Sequence, residues 1–220
     1  PKALSGSVAE TAVSELLAIS KNLYQNAAAI HEDNWPYRKA HPGRDIAGKT
    51  VGILGFGRIG QQVAKKLSGF DVKIIAYDPF AKSTDTVDIV DRETIFKTAD
   101  YVMVHLPAVP ETIHSIGAKE FKMMKHDAYL INMARGAIIV ESELVSALKN
   151  GDIGGAALDV FEEEPLPMTN PLVGLDNVLL TPHIASNTIE TKARMAIDAT
   201  HDIVRVLQGE KPESAVNQLD

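Results

Sequence analysis

Short apolar runs alternate with helical stretches over most of this chain. The runs occupy residues 50–54, 72–77, 101–105, 128–132, 156–160 and 178–181. Helical periodicity lies between several of them, at residues 59–68, 93–98 and 143–150, and a longer helix is expected at residues 188–208. Runs that are apolar on both faces and alternate with helices are typical of a parallel sheet covered on both sides. The pattern therefore predicts a doubly wound α/β fold.

The first 48 residues have a different pattern. A capping-box sequence, Ser7-Val8-Ala9-Glu10, is followed by apolar residues that recur on one helical face, which predicts a helix over residues 7–26. A polar stretch then runs to residue 48 and includes Trp35 and Tyr37, so we expect an ordered arm and not a linker. We interpret the whole chain as one domain, with an entry helix and arm (1–48), a Rossmann core (49–187), and a C-terminal helix (188–208) followed by a tail.

Composition excludes several classes of protein. The 220 residues contain 22 Lys and Arg against 29 Asp and Glu, a net charge of −7, which disfavours a nucleic-acid partner. No cysteine is present, which excludes disulfides and thiolate metal sites and fits the cytoplasm. No apolar stretch is long enough to span a membrane, and no histidine cluster indicates a metal. Because the chain begins at Pro1, we expect that its native start lies upstream.

A glycine-rich turn follows the first strand of the predicted core. Gly55, Gly57 and Gly60 form a GxGxxG pattern between a strand and a helix. In a dinucleotide fold these glycines make the tight turn, admit the pyrophosphate and let the helix pack on the strand. Asp78 ends the next strand, where an acidic residue binds the adenosine ribose. A carboxylate there would repel a 2′-phosphate, so the sequence predicts NAD in preference to NADP.

A second phosphate motif competes with this one. Residues 43–50 match G-x-x-x-x-G-K-[ST], the pattern of a P-loop. A working P-loop follows a strand and opens a helix, whereas this segment precedes the first strand. We interpret it as a turn, and a nucleotide triphosphatase remains a minor alternative.

Polar residues follow three of the predicted strands, where ligands bind in open α/β sheets. They are Arg135, the acidic triplet that ends at Glu164, and His183. Each alone is more commonly a surface or structural residue. Together they suit hydride chemistry, because a histidinium can protonate a keto oxygen, a carboxylate stabilises that cation, and an arginine binds a substrate carboxylate. His105 also ends a strand on this side, and we expect it to line the crevice without transferring protons.

Six segments in this order resemble the D-isomer-specific 2-hydroxyacid dehydrogenases, particularly the phosphoglycerate dehydrogenase-like branch. They read VGILGFGRIG, AYDP, HLP, INMARGAIIVE, GAALDVFEEEPLP and LLTPHIAS. The resemblance implies a Rossmann-like NAD-binding domain and an enzyme that interconverts a 2-keto acid and a D-2-hydroxy acid. It also implies that Arg135, Glu164 and His183 are catalytic. The cofactor contacts that it implies include Arg58, Ile59, Asp78, Pro107, Thr112, Ala134 and Asp159, with Asp159 near the nicotinamide amide.

Members of this family also carry a substrate domain, built largely from the N-terminal part of the chain. Most of that domain is missing here, so we expect this chain to bind NADH but to turn over poorly by itself. The arm around Trp35 resembles the region through which relatives dimerise, which implies a homodimer. The alternative function is an NAD-sensing corepressor, since some relatives of that kind keep the same three catalytic residues.

Overall fold

Seven parallel strands form the centre of the computed structural model, which describes residues 2–213 and 215. The strands are β1 (Thr50–Leu54), β2 (Lys73–Tyr77), β3 (Asp88–Ile89), β4 (Tyr101–Val104), β5 (Tyr129–Asn132), β6 (Gly155–Leu158) and β7 (Val178–Leu180). Their order in the sheet is β3-β2-β1-β4-β5-β6-β7, and every pair is parallel. The chain changes direction across the sheet at β1, between β2 and β4. Ligands bind at such a switch point, beyond the carboxyl ends of the strands.

Helices cover both faces of this sheet. They are α1 (Lys2–Ser20), α2 (Leu23–His31), α3 (Tyr37–Ala40), α4 (Arg58–Leu67), α5 (Arg92–Thr98), α6 (Ala118–Met123), α7 (Glu141–Asn150) and α8 (Ile189–Leu207). Among the helices of the described residues, none combines the length and the apolar character that crossing a membrane requires. The predicted doubly wound fold is confirmed, and the described residues contain this single sheet and no second sheet domain.

Two hydrophobic clusters lie on opposite faces of the sheet, because alternate residues of a strand point to opposite sides. Ile53 packs with α1 and α4 on one face, and its neighbour Leu54 packs with α5, α6 and α7 on the other. Both side chains are fully buried. The alternation holds each strand in register, so the positions at which the strands end are fixed by the core.

The N-terminal helix differs from its prediction. Ser7 is not a helix cap: α1 begins at Lys2, and the Ser7 hydroxyl donates to the backbone oxygen of Ala185 at 2.9 Å. The helix also ends earlier than residue 26, because Asn22 has φ 47° and separates α1 from α2. The Asn22 amide side chain donates to the backbone oxygen of Pro42 at 2.9 Å, which ties this break to the arm.

Other predictions agree with the structure to within a few residues. The six apolar runs coincide with β1, β2, β4, β5, β6 and β7, and the final helix is α8. The pattern missed β3, α3 and α6, which are short. The polar arm after residue 26 contains the end of α2 and the whole of α3. Within it, the Arg38 guanidinium lies over the Trp35 ring at 5.6 Å. The end of the predicted tail lies outside the described residues.

Candidate active site

The glycine turn between β1 and α4 has the geometry that a dinucleotide needs. Gly55 has φ +94°, and a Cβ there would lie 2.6 Å from the backbone oxygen of His105. A Cβ on Gly60 would lie 2.3 Å from the Gly55 oxygen, so helix and turn meet closely. Gly57 is different, since no atom lies within 4 Å of a Cβ built on it and no side chain caps α4. The first turn of α4 thus presents its N–H groups to open space, as a pyrophosphate site requires.

Asp78 follows β2 and is tied to this turn. One carboxylate oxygen accepts from the Phe56 backbone N–H at 3.0 Å, and the other accepts from the Phe80 N–H at 2.9 Å. A carboxylate has about four lone-pair sites, so it retains capacity for a ribose hydroxyl. Asp78 therefore holds the glycine turn in place through the Phe56 N–H, and it remains the predicted acceptor for a ribose hydroxyl.

His105 follows β4 directly beside the turn. Both of its ring nitrogens are buried and have no hydrogen-bond partner within the described part of the chain. Burial lowers the pKa of His105 to about 4, so the ring is neutral near pH 7. Buried polar groups normally have partners, and unpaired ring nitrogens at this edge suit a polar ligand. Together with the open Gly57 face, they fit a bound dinucleotide.

Three other predicted cofactor contacts lie in turns at the same sheet edge. Thr112 closes the loop after β4, with its hydroxyl accepting from the Val109 N–H at 3.0 Å. Pro107 lies exposed in that loop. Ala134 follows β5, and its N–H donates to the Asn132 side chain at 3.0 Å. Arg58 and Ile59 begin α4 beside the glycine turn, Arg58 being exposed. These residues stay predicted contacts.

Glu164 and His183 form a close pair. Nδ1 of His183 lies 2.7 Å from a Glu164 carboxylate oxygen, and the other oxygen accepts from the Phe161 N–H at 3.0 Å. Burial by itself raises the pKa of Glu164, but the hydrogen bonds from His183 and Phe161, together with the positive charges of His183 and Arg135, outweigh it, so the pKa lies below its ordinary value. Glu164 is thus a carboxylate that orients the imidazole and leaves Nε2 for a substrate.

Arg135 is the third member of the predicted set and lies in the turn after β5. The fully buried Asn132 side chain donates to the Arg135 backbone oxygen at 3.0 Å and fixes this turn. The side chain of Arg135 is exposed, and its positive charge is close enough to contribute to the lowered pKa of Glu164. The structure thus brings the arginine, the carboxylate and the imidazole together at one edge.

Asp159 lies beneath this group, fully buried at the end of β6. It accepts from the backbone N–H groups of Ile184 and Ala185 at 2.7 and 2.8 Å, and it lies 2.7 Å from the Thr181 hydroxyl. Its predicted contact with the nicotinamide amide stays a prediction. The sequence analysis did not single out Thr181 or Glu15, whose carboxyl group also contacts the Thr181 hydroxyl. The available signal was a charged residue on the apolar face of α1, the face that includes Ala12, Leu16 and Ile19.

The competing P-loop pattern does not form a phosphate site. Residues 43–46 have no regular secondary structure, residues 47 and 48 form a turn, and the segment continues into β1 and not into a helix. A Cβ on Gly43 would lie 2.7 Å from the Lys21 Cα, so this segment packs against the end of α1. The interpretation as a turn is confirmed. Within the described ranges, no group of three His, Cys, Asp or Glu residues could hold a metal ion.

A glycine turn at the switch point and an acid–imidazole pair at the same sheet edge define the cofactor domain of a dinucleotide-dependent oxidoreductase. Residues 13–185 match the model of the D-isomer specific 2-hydroxyacid dehydrogenase, NAD binding domain. The chain therefore belongs to the D-isomer specific 2-hydroxyacid dehydrogenases, as the sequence resemblance predicted, and NAD is its cofactor.

Individual relatives agree with this assignment. The chain is 43% identical to a glyoxylate reductase from Thermofilum pendens, over 99% of this chain and 67% of that protein. It is 42% identical to a D-3-phosphoglycerate dehydrogenase from Methanocaldococcus jannaschii, again over 99% of this chain but only 42% of that protein. The crystal structure of D-lactate dehydrogenase with NAD+ from Lactobacillus jensenii superposes with a TM-score of 0.87 at 28% identity, covering 97% of this chain and 69% of that one. The chain thus spans between two fifths and about two thirds of the length of these relatives.

Proposed function

We propose that this chain is the cofactor domain of an enzyme that reduces a 2-keto acid to a D-2-hydroxy acid, and catalyses the reverse reaction. The observation that carries the proposal is the pairing of His183 with Glu164 at 2.7 Å, beyond the sheet edge that holds the glycine turn. A paired imidazole supplies a proton donor where a keto oxygen would become an alkoxide. The names of the relatives, reductases and dehydrogenases, favour turnover over the corepressor alternative.

Each of the three side chains has its own role in the proposed reaction. NADH, when bound, supplies the hydride that reaches the keto carbon. His183 gives the proton on Nε2 to the keto oxygen, and Glu164 stabilises the cation and fixes the ring orientation. Arg135 offers two parallel N–H groups to the substrate carboxylate, which holds the keto carbon in place. In the oxidative direction His183 takes the hydroxyl proton back.

The cofactor contacts belong to the same proposal. The pyrophosphate lies over Gly57 at the N-terminus of α4, where Gly55 makes the tight turn and Gly60 lets the helix pack closely, and Asp78 accepts from the adenosine ribose. Because a carboxylate at this position repels a 2′-phosphate, NADH is preferred to NADPH. We further propose a homodimer, formed through the arm around Trp35, and a cytoplasmic location. The homodimer is supported by the resemblance of the arm to the region through which relatives dimerise, and the location is supported by the absence of cysteine.

Turnover of keto acids tests this proposal. The chain would be given NADH with glyoxylate, hydroxypyruvate, phosphohydroxypyruvate and pyruvate in parallel, and NADH oxidation would be followed. We expect slow reduction that is lost in Glu164→Gln and His183→Asn but kept in Glu163→Gln. Glu163 is an exposed neighbour in the same triplet and serves as the matched control. NADH binding without reduction of any keto acid would favour the corepressor alternative.

A further inference from the structure

One face of α1 holds the turn that carries His183. Ser7, Thr11 and Glu15 are spaced four residues apart, so they lie on the same side of the helix. The hydroxyls of Ser7 and Thr11 donate to the backbone oxygen of Ala185 at 2.9 and 3.2 Å. Glu15 meets the Thr181 hydroxyl at 2.6 Å, on the strand side of the same turn. The first helix is therefore bonded to the segment on both sides of His183.

The two contacts of the Thr181 hydroxyl need two hydrogens, but the hydroxyl has only one and ionised carboxylates have none. The hydroxyl oxygen lies 2.6 Å from a Glu15 oxygen and 2.7 Å from an Asp159 oxygen. A hydroxyl carries a single hydrogen and donates only once. If both acids were ionised, one of these contacts would place two oxygen lone pairs against each other. One carboxyl group must therefore be protonated.

The surroundings of the two acids decide which one carries that proton. Both carboxylate oxygens of Asp159 already accept backbone N–H bonds, from Ile184 and Ala185. Glu15 is only 4% exposed, and its other oxygen is buried without a partner in the described residues. Burial, opposed by the hydrogen bond to Thr181, raises the pKa of Glu15 to about 7, and the negative charge of Asp159 adds to the increase. The proton lies on Glu15.

No cation on the elements packed against α1 pairs with Glu15 in the described part of the chain. Lys66 of α4 binds Glu10 instead, and Arg194 of α8 binds the Ala3 oxygen and the Thr191 hydroxyl. On α2 the titratable groups are exposed, namely Tyr24 and His31. Asp159 at the end of β6 is the charged group that acts on Glu15, and β7 leads to the neutral Thr181.

We propose that Glu15 is a positioning residue for His183: its protonated carboxyl group donates to Thr181, Thr181 donates to Asp159, and Asp159 holds the two amides that follow His183. His183 needs such support because it has φ 53°, a left-handed conformation that is unfavourable for a residue with a side chain. Loss of the Glu15 proton removes the hydrogen bond between Glu15 and Thr181. It also places two negative charges beside the Thr181 hydroxyl. The Asp159 bonds to the His183 turn then weaken.

The test compares the wild-type chain with Glu15→Gln, whose amide can donate to Thr181 but cannot titrate. The backbone amide signals of Ile184 and Ala185 would be followed by NMR against pH without cofactor. In the wild type we expect both signals to shift with a midpoint near the Glu15 pKa of about 7. In Glu15→Gln we expect that step to be absent. Any response to His183 itself is common to both proteins, so the difference isolates Glu15.

A second measurement needs no variant. The side-chain carboxyl carbon of Glu15 would be titrated in the wild type by NMR, and we expect a midpoint well above the ordinary value of 4.5. A midpoint near 4.5 would overturn the proposal, because Glu15 would then carry no proton at neutral pH. Identical pH responses of the two amides in wild type and Glu15→Gln would overturn it as well.

This inference rests on the proposed function, since the position of His183 matters only if it is the proton donor. The two ideas nevertheless fail separately. A raised Glu15 midpoint in a protein that neither binds NADH nor reduces keto acids would refute the function and leave the hydrogen bonds of Glu15, Thr181 and Asp159 in place. Turnover with an ordinary Glu15 pKa would refute the positioning role alone.

Discussion

Two alanine substitutions in the glycine turn separate folding from cofactor binding. In Gly55→Ala, the new residue must keep φ +94°, which costs about 1–3 kcal/mol for a residue with a side chain. Its Cβ would also lie 2.6 Å from the His105 oxygen, which is too close for real atoms. His105 cannot move away easily, because its N–H donates to the Leu54 oxygen at 2.7 Å. We therefore expect Gly55→Ala to lower the free energy of unfolding by about 3 kcal/mol.

Gly57→Ala is the matched control for stability. Gly57 has φ −74°, and no atom lies within 4 Å of a new Cβ. The reduced freedom of the unfolded chain contributes about 0.4–1 kcal/mol, which offsets the poorer helix cap that alanine makes. Stability should therefore change by less than about 1 kcal/mol. NADH affinity should fall at least about tenfold, about 1.4 kcal/mol, because the methyl group occupies the approach of the pyrophosphate.

Urea unfolding and calorimetric titration with NADH would measure these two effects on the same samples. We expect Gly55→Ala to be unstable, and Gly57→Ala to be stable but to bind NADH poorly. Wild-type NADH affinity in Gly57→Ala would refute the placement of the pyrophosphate on this turn. Wild-type stability in Gly55→Ala would refute the argument from backbone geometry.

Three further predictions concern single side chains. Asp78→Asn should reduce the preference for NADH over NADPH at least about tenfold, since the charge that repels a 2′-phosphate is gone. Parallel calorimetric titrations would measure the two affinities, and an unchanged ratio of NADH to NADPH affinity would contradict the role of Asp78. His183→Asn should slow keto acid reduction by about 10²–10⁴-fold and leave NADH affinity within about threefold, and an equal loss of both would point to a folding defect instead. The pKa of Glu164 lies below its ordinary 4.5, so its pairing stabilises the fold above that pH and is lost on acidification. The gap in urea midpoint between wild type and Glu164→Gln should therefore narrow as the pH falls below about 4.5, and a constant gap would show that this pairing does not stabilise the fold.

Local patterns were sufficient for the parts of the fold that depend on near neighbours in sequence. Strands buried on both faces are visible as apolar runs, and the roles of Gly55, Gly57 and Gly60 follow from the spacing of a single turn. β3 has only two residues and begins with Asp88, so it leaves no apolar run to detect. Its position depends on pairing with β2.

Features that depend on contacts between residues far apart in the sequence could not be predicted from the local pattern. Ser7 reads as a helix cap locally, yet its hydroxyl binds Ala185, which is 178 positions away. Glu15 reads as a polar interruption of an apolar face, and its role emerges only when Thr181 and Asp159 are placed beside it. The pair of Glu164 and His183 could be proposed from strand ends, but the contact itself required the structure.

Calorimetric titration with nucleotides tests whether this sheet edge is the cofactor site. NADH, NADPH and ATP would be titrated into separate samples in a calorimeter. We expect NADH to bind with clearly higher affinity than the other two, since Asp78 and the open first turn of α4 suit its ribose and pyrophosphate. Absence of NADH binding, or binding of ATP alone, would contradict the assignment of this sheet edge as the cofactor site.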